Sequence, residues 1–163
     1  MTDRIHIDTP LGPLTLEGDD SAVSAVRFGA GPDGPAGDVP STRAPALADA
    51  AAQLDDYFAG RRRSFDVALA LDGTPFQREV WAALRAIPYG ETTTYTALAA
   101  ALGRPRAVRA VGAAVGRTPI PVIVPCHRVL GADGSLTGYR GGLDRKRALL
   151  ELERRTASGA SVR

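Results

Sequence analysis

The apolar residues of the first 70 positions mostly alternate with polar ones, the period of a strand. Ile5 and Ile7 alternate with polar neighbours over 4–9, and the segments 14–17 and 22–28 predict two further strands. A helix is predicted over 46–59, where apolar residues recur at helical spacing. The stretch "SFDVALAL" then alternates again and predicts a fourth strand. The N-terminal part is therefore predicted to be rich in β-structure.

Beyond Asp72 the apolar residues recur with the period of an α-helix. The stretch "TPFQ" at 74–77 predicts a capping box that opens a helix ending before Pro88. A short helix closed by Gly103 and a second helix over 105–115 follow. Two short helices separated by a few residues are typical of a helix-turn-helix, although any packed helix pair gives a similar pattern.

The remaining segments complete the domain organisation. The stretch 29–45 is rich in Gly, Pro, Asp and Ser and predicts a flexible loop, and a last helix is predicted over 143–155. We expect an α+β chain with domains at 1–71 and 72–155, followed by a disordered tail at 156–163.

Composition narrows the class of protein. The net charge is only +2, and 19 of the 20 basic residues are Arg, with Lys146 the single lysine. One cysteine cannot form an internal disulfide, and with two histidines it cannot supply a four-ligand zinc site. The N-terminus lacks the apolar region of a signal peptide, and no apolar run approaches the ~20 residues of a membrane span. We expect a cytoplasmic protein with no bound metal.

The single cysteine, Cys126, is followed directly by one of the two histidines, His127. A thiolate nucleophile needs a base or a nearby positive charge, and His127 could supply the base. Neighbours in a strand point to opposite faces, so a tight turn at Pro125 or a bridging water must connect the two groups. Glu151 and Glu153 are both candidates to hold the tautomer of the histidine. The alternative is that Cys126 is a small buried apolar residue.

The helix predicted over 105–115 carries small residues beside arginines. Such a face allows close approach of the backbone to a narrow groove, with arginines reaching phosphates or replacing a displaced base. The alternative is an Ala-rich helix buried by helix–helix packing. The residues are Arg106, Arg109, Ala110, Gly112, Ala113 and Ala114.

Several motifs, in order and in register, resemble the O6-alkylguanine-DNA alkyltransferase family. They cover about 74–153, and "TPLGPLTL" near the N-terminus is a weaker match. The motifs are "FQREVW", "IPYGETTTY", "RAVRAVG", "PCHRV" and "GYRGGL" followed by "RKRALLELE". The resemblance implies an RNase H-like N-terminal domain and a winged helix-turn-helix domain that bears the active site.

The resemblance also implies roles for single residues. Cys126 accepts the alkyl group, His127 acts as its base through a water, and Glu153, in preference to Glu151, orients the histidine. Arg109 is the finger that fills the space of an extruded guanine. Tyr95 lies beside the target's 3′ phosphate and is our candidate for the proton donor to the leaving guanine.

Further positions follow from the same comparison. Tyr139 and Arg140 belong to a loop that closes over the flipped base, with Val129 and Pro121 also expected in the substrate pocket. Thr118 stands where the family usually has Asn, which organises the turn bearing the nucleophile. Thr118 and Arg128 are also expected to contact DNA.

The implied function is single-turnover repair of O6-alkylguanine in double-stranded DNA, with O4-alkylthymine a further candidate substrate. No cofactor is needed because the DNA itself carries the alkyl group. We expect a monomer, with clustering along DNA left open. Two alternatives are a DNA-binding module of the same fold without chemistry and a cysteine hydrolase using Cys126, His127 and Glu153.

Overall fold

The structure is a computed structural model that describes residues 3–29, 44–139 and 141–157. Most of the predicted loop at 29–45, Arg140 and positions 158–163 lie outside the described residues. The chain divides into two compact units, with the division between Asp72 and Gly73. No helix in the described ranges is long and apolar enough to span a membrane.

The N-terminal unit begins with an antiparallel sheet in the order β1 (Asp3–Thr9), β2 (Gly12–Gly18) and β3 (Val23–Phe28). Ile5 pairs with Leu16 and Ile7 with Leu14, so the apolar residues of β1 lie opposite apolar residues of β2. All four side chains are buried. The alternation read from the sequence therefore places one face of the sheet in the core.

Helix α1 (Pro45–Phe58) packs on this sheet, and its Leu47, Leu54 and Tyr57 are fully buried. The predicted strand at 64–71 is wrong. Its backbone pairs with Val23 only through an isolated bridge at Leu69. The Gln53 side chain instead donates to the Asp66 carbonyl at 3.0 Å and accepts from the Asp66 amide at 2.8 Å. A helix side chain thus takes the backbone groups that a partner strand would bind.

The C-terminal unit begins with α2 (Pro75–Arg85), whose predicted capping box is confirmed. The Gln77 amide donates to the Thr74 hydroxyl at 3.1 Å, and the Thr74 amide donates to the Gln77 side chain at 3.0 Å. Trp81 is buried and its indole donates to the Ala114 carbonyl at 2.8 Å. This bond fixes α2 against the helix that carries Ala114.

Helices α3 (Tyr95–Ala101) and α4 (Val108–Gly116) form the predicted helix pair. The Thr94 hydroxyl caps α3 by accepting from the Ala97 amide at 3.0 Å. Gly103 has a φ of 72°, which is the left-handed conformation that ends a helix and favours glycine. Helix α4 starts at Val108, three residues after the predicted start. The residues before it form a turn instead, which is closed by a hydrogen bond from the Ala107 amide to the Arg104 carbonyl.

Two short strands join distant parts of this unit. β4 (Thr93–Thr94) pairs in parallel with β5 (Val129–Leu130). β4 leads directly into Tyr95, and β5 follows directly after a short 3₁₀ turn over Cys126–Arg128. The pairing therefore brings the start of α3 beside the turn that carries the cysteine.

The last helix, α5 (Leu143–Ala157), runs two residues past its predicted end. Thr156, which the sequence placed in a disordered tail, is 7% exposed and helical. Leu149 and Glu153 lie on the buried face of the same helix. Residues on this face approach the 3₁₀ turn, so α5 supplies the charged groups behind the cysteine.

Candidate active site

The cysteine lies on a tight turn, as expected if the two neighbouring side chains are to act together. The Arg128 amide donates to the Pro125 carbonyl at 3.0 Å and closes the turn. Val122, four residues ahead of the cysteine, has a φ of 74°, a left-handed conformation that a β-branched residue rarely adopts. A bond from the Val124 amide to the Ile120 carbonyl at 2.9 Å holds this segment. Backbone strain of about 1–3 kcal/mol is typical beside functional sites.

A carboxylate from α5 meets the histidine of this turn. The Nε2 atom of His127 lies 2.7 Å from Oε2 of Glu153, and both side chains are buried. Burial alone would raise the pKa of Glu153, but hydrogen bonds from His127 and Arg128 lower it to about 2. Glu153 is therefore ionised at neutral pH and can only accept hydrogen bonds.

The tautomer of His127 follows from that ionised partner. Burial lowers the pKa of His127 more than the Glu153 carboxylate raises it, so the ring is neutral at pH 7. Its proton must sit on Nε2 to donate to Glu153. Nδ1 is then an unprotonated acceptor, and this buried atom has no hydrogen-bond partner among the described residues.

Arg128 was expected to contact DNA, and the structure contradicts this. The side chain is 6% exposed and donates to both oxygens of Glu153, from Nε at 2.8 Å and from Nη2 at 2.9 Å. Its Nη1 donates to the Ile87 carbonyl at 2.6 Å. The guanidinium neutralises a buried carboxylate, and this holds it inside the protein.

Thr118 was also expected on the DNA-contacting surface, and this too is wrong. The residue is 1% exposed, and its hydroxyl donates to the Val115 carbonyl at 2.7 Å. Val115 lies in the last turn of α4. Thr118 therefore binds an end carbonyl of that helix where the chain turns toward the cysteine segment.

A cavity of about 300 Å³ opens beside the cysteine. This volume is at the lower end of the roughly 300–1,000 Å³ typical of small-molecule sites. Cys126 is only 4% exposed, yet it is part of the cavity wall. The lining residues are Tyr95, Gly112, Val115, Gly116, Cys126, Gly138 and Tyr139.

Two residues predicted for the pocket do not line this cavity. Pro121 and Val129 are both buried, and Val129 is fully so. Val129 belongs to β5, where its backbone pairs with β4 and its side chain lies in the apolar interior. Arg140, also predicted for the pocket, lies outside the described residues.

Two tyrosines stand on the cavity wall. Burial raises the pKa of Tyr95, although a hydrogen bond with Thr137 opposes the shift. Burial also raises the pKa of Tyr139 well above its usual value, and the nearby Cys126 raises it further. Both phenols therefore keep their protons at neutral pH and can donate hydrogen bonds into the cavity.

The surface of α4 has the character that the sequence indicated. Arg109, Ala110 and Ala113 of the predicted face are exposed on α4, Ala114 is buried, and Arg106 is exposed in the turn that precedes the helix. Gly112 is half-buried, and a Cβ added there would lie 3.7 Å from the Tyr95 ring. The small residues are thus not all used for internal packing, and Gly112 separates the exposed face from the cavity.

One residue of this region was missed as part of the site. Lys146 on α5 is fully buried and donates to three backbone carbonyls. The signal was present in the sequence, because Lys146 is the single lysine in a chain that otherwise uses arginine.

Comparison with known proteins decides the family. The family description "6-O-methylguanine DNA methyltransferase, DNA binding domain" matches residues 75–155, and the ribonuclease-like domain of the same family matches 4–71. The chain belongs to the 6-O-methylguanine DNA methyltransferase family. A Mycobacterium tuberculosis relative named methylated-DNA–protein-cysteine methyltransferase is 52% identical over 151 residues, covering 93% of this chain and 92% of the relative.

Other members of the family give the same result. A Methanosarcina acetivorans relative with the same name is 50% identical over 149 residues, covering 90% of this chain and 94% of the relative. The crystal structure of the Mycobacterium tuberculosis protein in complex with DNA matches with a TM-score of 0.82 and 50% identity, covering 94% of this chain and 93% of that one.

Family membership confirms the predicted α+β fold class and the predicted enzyme class. The chain is a methyltransferase of DNA repair that acts by direct reversal of damage. These findings support neither of the two predicted alternatives, a DNA-binding module without chemistry and a cysteine hydrolase.

Proposed function

We propose that this chain binds double-stranded DNA and transfers the alkyl group of O6-alkylguanine to Cys126, once per protein molecule. The observation that carries the proposal is the position of Cys126 on the wall of a cavity and on the same turn as a neutral, carboxylate-bound histidine. A nucleophile, a base and a group that orients the base are the parts that thiol activation requires.

In the proposed reaction the Nδ1 lone pair of His127 takes the Cys126 proton, directly or through a water. The thiolate forms a bond to the alkyl carbon, and the bond between that carbon and guanine O6 breaks. The electron pair stays on the guanine, which takes up a proton from Tyr95 and becomes ordinary guanine, and the proton held by His127 passes through solvent to restore the Tyr95 phenol. The product is a thioether, which has no proton to lose and no route back to a thiolate.

Tyr95 is the proposed donor to the departing guanine. Its phenol keeps its proton at neutral pH and lines the cavity with Cys126. A protonated hydroxyl aimed at developing negative charge stabilises the transition state in a site that excludes bulk water. Tyr139 forms another part of the same wall, where the flipped base would lie.

We propose that the exposed face of α4 enters the minor groove. Arg109 is exposed on this face, and its small neighbours Ala110 and Ala113 allow the helix backbone to approach the DNA closely. Arg109 would occupy the space left by the extruded base, which offsets part of the cost of unstacking. The proposed division of labour assigns DNA contact and chemistry to 72–155 and a structural role to 1–71.

The deciding experiment measures the intact mass of the protein after incubation with a duplex that carries one O6-methylguanine. We expect the protein to gain one CH₂, located on Cys126 by peptide mapping, with one equivalent transferred and then no further reaction. Repeated turnover, or a methyl group on another residue, would contradict the proposal.

The matched control is Cys126→Ala. This variant should gain no mass while it still binds the duplex, because the proposed DNA-contacting residues lie on α4 and not on the 3₁₀ turn. Methyl transfer by Cys126→Ala would refute the role of the thiol. The same assay with O4-methylthymine duplex, and with larger O6-alkyl groups, measures what the cavity admits.

A further inference from the structure

Lys146 is the single lysine in a chain that otherwise uses arginine. Of the 20 lysines and arginines, 19 are arginines. The exception is fully buried, whereas its neighbour Arg147 is 62% exposed and pairs with Asp144. A residue choice that departs from the rest of the chain at a buried position indicates a local physical requirement.

The hydrogen bonds of Lys146 show what that requirement is. Its Nζ donates to the Val129 carbonyl at 2.6 Å, the Thr137 carbonyl at 2.7 Å and the Gly138 carbonyl at 3.3 Å. An ammonium has three donors on one compact atom, so three carbonyls around a point satisfy it completely. A planar guanidinium spreads its donors over a wider fork and does not match this geometry.

The three carbonyls belong to two separate segments beside the cavity. Val129 is in β5, directly after the turn of Cys126, and Gly138 is in the cavity wall. The Tyr95 ring, another part of that wall, has its centroid 6.0 Å from Nζ. Lys146 therefore lies behind the wall and ties the segment 137–138 to the strand that follows the cysteine.

The protonation of Lys146 is also linked to the charge of Cys126. Burial lowers the pKa of Lys146, and the negative charge of a Cys126 thiolate opposes that shift. Among the described residues, the other titratable groups at this site include Tyr95 and Tyr139, which keep their protons, and His127, which is neutral. Glu153 already accepts from His127 and, through both oxygens, from Arg128. The Glu153 carboxylate is thus balanced by Arg128, and a Cys126 thiolate supplies a negative charge that balances Lys146.

We propose that Lys146 is a positioning residue that fixes the cavity wall at 137–138 and whose positive charge, behind that wall, stabilises the Cys126 thiolate. The inference rests on the proposed transfer to Cys126, since it concerns the ionisation of that thiol. Glu153 balances Arg128 and the thiolate balances Lys146, while the proton taken by His127 adds one positive charge until it leaves the site. Methylation removes one negative charge and leaves an uncompensated ammonium.

The first test uses Lys146→Met with Arg147→Met as the matched control. Cys126 is the single cysteine, so reaction with iodoacetamide reports on it alone. We expect Lys146→Met to move the midpoint of the rate-against-pH profile upward by about one pH unit, and Arg147→Met to leave it in place. A folded Lys146→Met with the wild-type midpoint would overturn the charge role, because removal of a buried cation that stabilises the thiolate must raise the pKa of the thiol.

The second test leaves Lys146 intact and does not depend on how Lys146→Met folds. With a single lysine, ¹³Cε-lysine labelling gives one side-chain resonance. We expect that resonance to titrate at lower pH in Cys126→Ala than in the wild type, because the thiolate no longer stabilises the ammonium. An identical titration in both proteins would overturn the inference. Methyl transfer by the wild type is measured separately by mass, so a failure here is distinct from a failure of the proposed function.

Discussion

Nε2 of His127 and Oε2 of Glu153 lie 2.7 Å apart in an interior that excludes solvent from both side chains. The same carboxylate accepts from Arg128 through both of its oxygens and from the Gly90 amide at 3.3 Å. Glu153 therefore has two tasks. It holds the tautomer of the histidine, and it neutralises a buried guanidinium that joins the turn of the cysteine to α5.

Glu153→Gln should damage stability and activity together. The substitution leaves Arg128 buried without its counter-charge, which typically costs about 3–5 kcal/mol in the free energy of unfolding. It also replaces one of the two carboxylate oxygens with an NH₂ donor and removes the negative charge, so the His127 proton is held less firmly on Nε2 and methyl transfer should slow. Urea unfolding and single-turnover rates measure the two effects.

Glu151→Gln is the control for that variant. Glu151 is exposed and pairs with Arg154 on the surface of α5. Such pairs contribute about 0–1 kcal/mol, and we expect the methyl transfer rate to stay at the wild-type value. If both variants lose the same stability and the same rate, the assignment of Glu153 as the buried partner is wrong.

The stability of the chain should fall as the solution becomes acidic. The pKa of Glu153 drops from its ordinary 4.5 to about 2 on folding, so its contribution is full above pH 4.5 and is lost as pH falls toward 2. The folded pKa of His127 is also lowered, so below pH 6.5 the unfolded chain takes up that proton first. Urea unfolding between pH 7 and 3 should give decreasing free energies. A flat profile, or greater stability in acid, would contradict both ionisation states.

Arg109→Ala should separate DNA handling from chemistry. We expect the rate of repair of duplex DNA to fall by about tenfold or more, since the finger offsets part of an extrusion cost of a few kcal/mol and about 1.4 kcal/mol is a factor of ten. Reaction with free O6-methylguanine, which needs no extrusion, should change little. Arg85→Ala, an exposed arginine on α2, serves as the control. Equal losses on duplex and free base would remove the finger role.

Gly112 offers a test of the cavity wall. An added Cβ would meet the Tyr95 ring at an ordinary 3.7 Å, and alanine within a helix is more stable than glycine by about 0.5–1 kcal/mol. Gly112→Ala should therefore unfold at a higher urea concentration and still react with the free base. Gly112→Leu should fold but lose that reaction, because its longer side chain extends into the space beside Tyr95. Full activity in Gly112→Leu would show that the base does not use this cavity.

Sequence reasoning succeeded where the decisive contacts are local. The capping box of α2 joins residues three positions apart, and the turn at Pro125 closes over three residues, so both follow from neighbouring residue types. The strand predicted at 64–71 failed for the opposite reason. Its backbone groups at Asp66 form hydrogen bonds with the side chain of Gln53, 13 residues away on a helix. No local sequence pattern predicts that contact.

By itself, the sequence determined the α+β order of elements, the adjacency of Cys126 and His127 and the family of the chain. These follow from short-range hydrogen bonds, hydrophobic periods and motif order, all of which depend on residues that are close in sequence. Only the tertiary structure decided that Arg128 turns inward, that Thr118 binds the end of α4 and that Lys146 lies behind the cavity wall. These assignments depend on which polar groups are left to satisfy one another once the core has closed. Partners such as Arg128 and Glu153 are 25 residues apart, and packing alone brings them together.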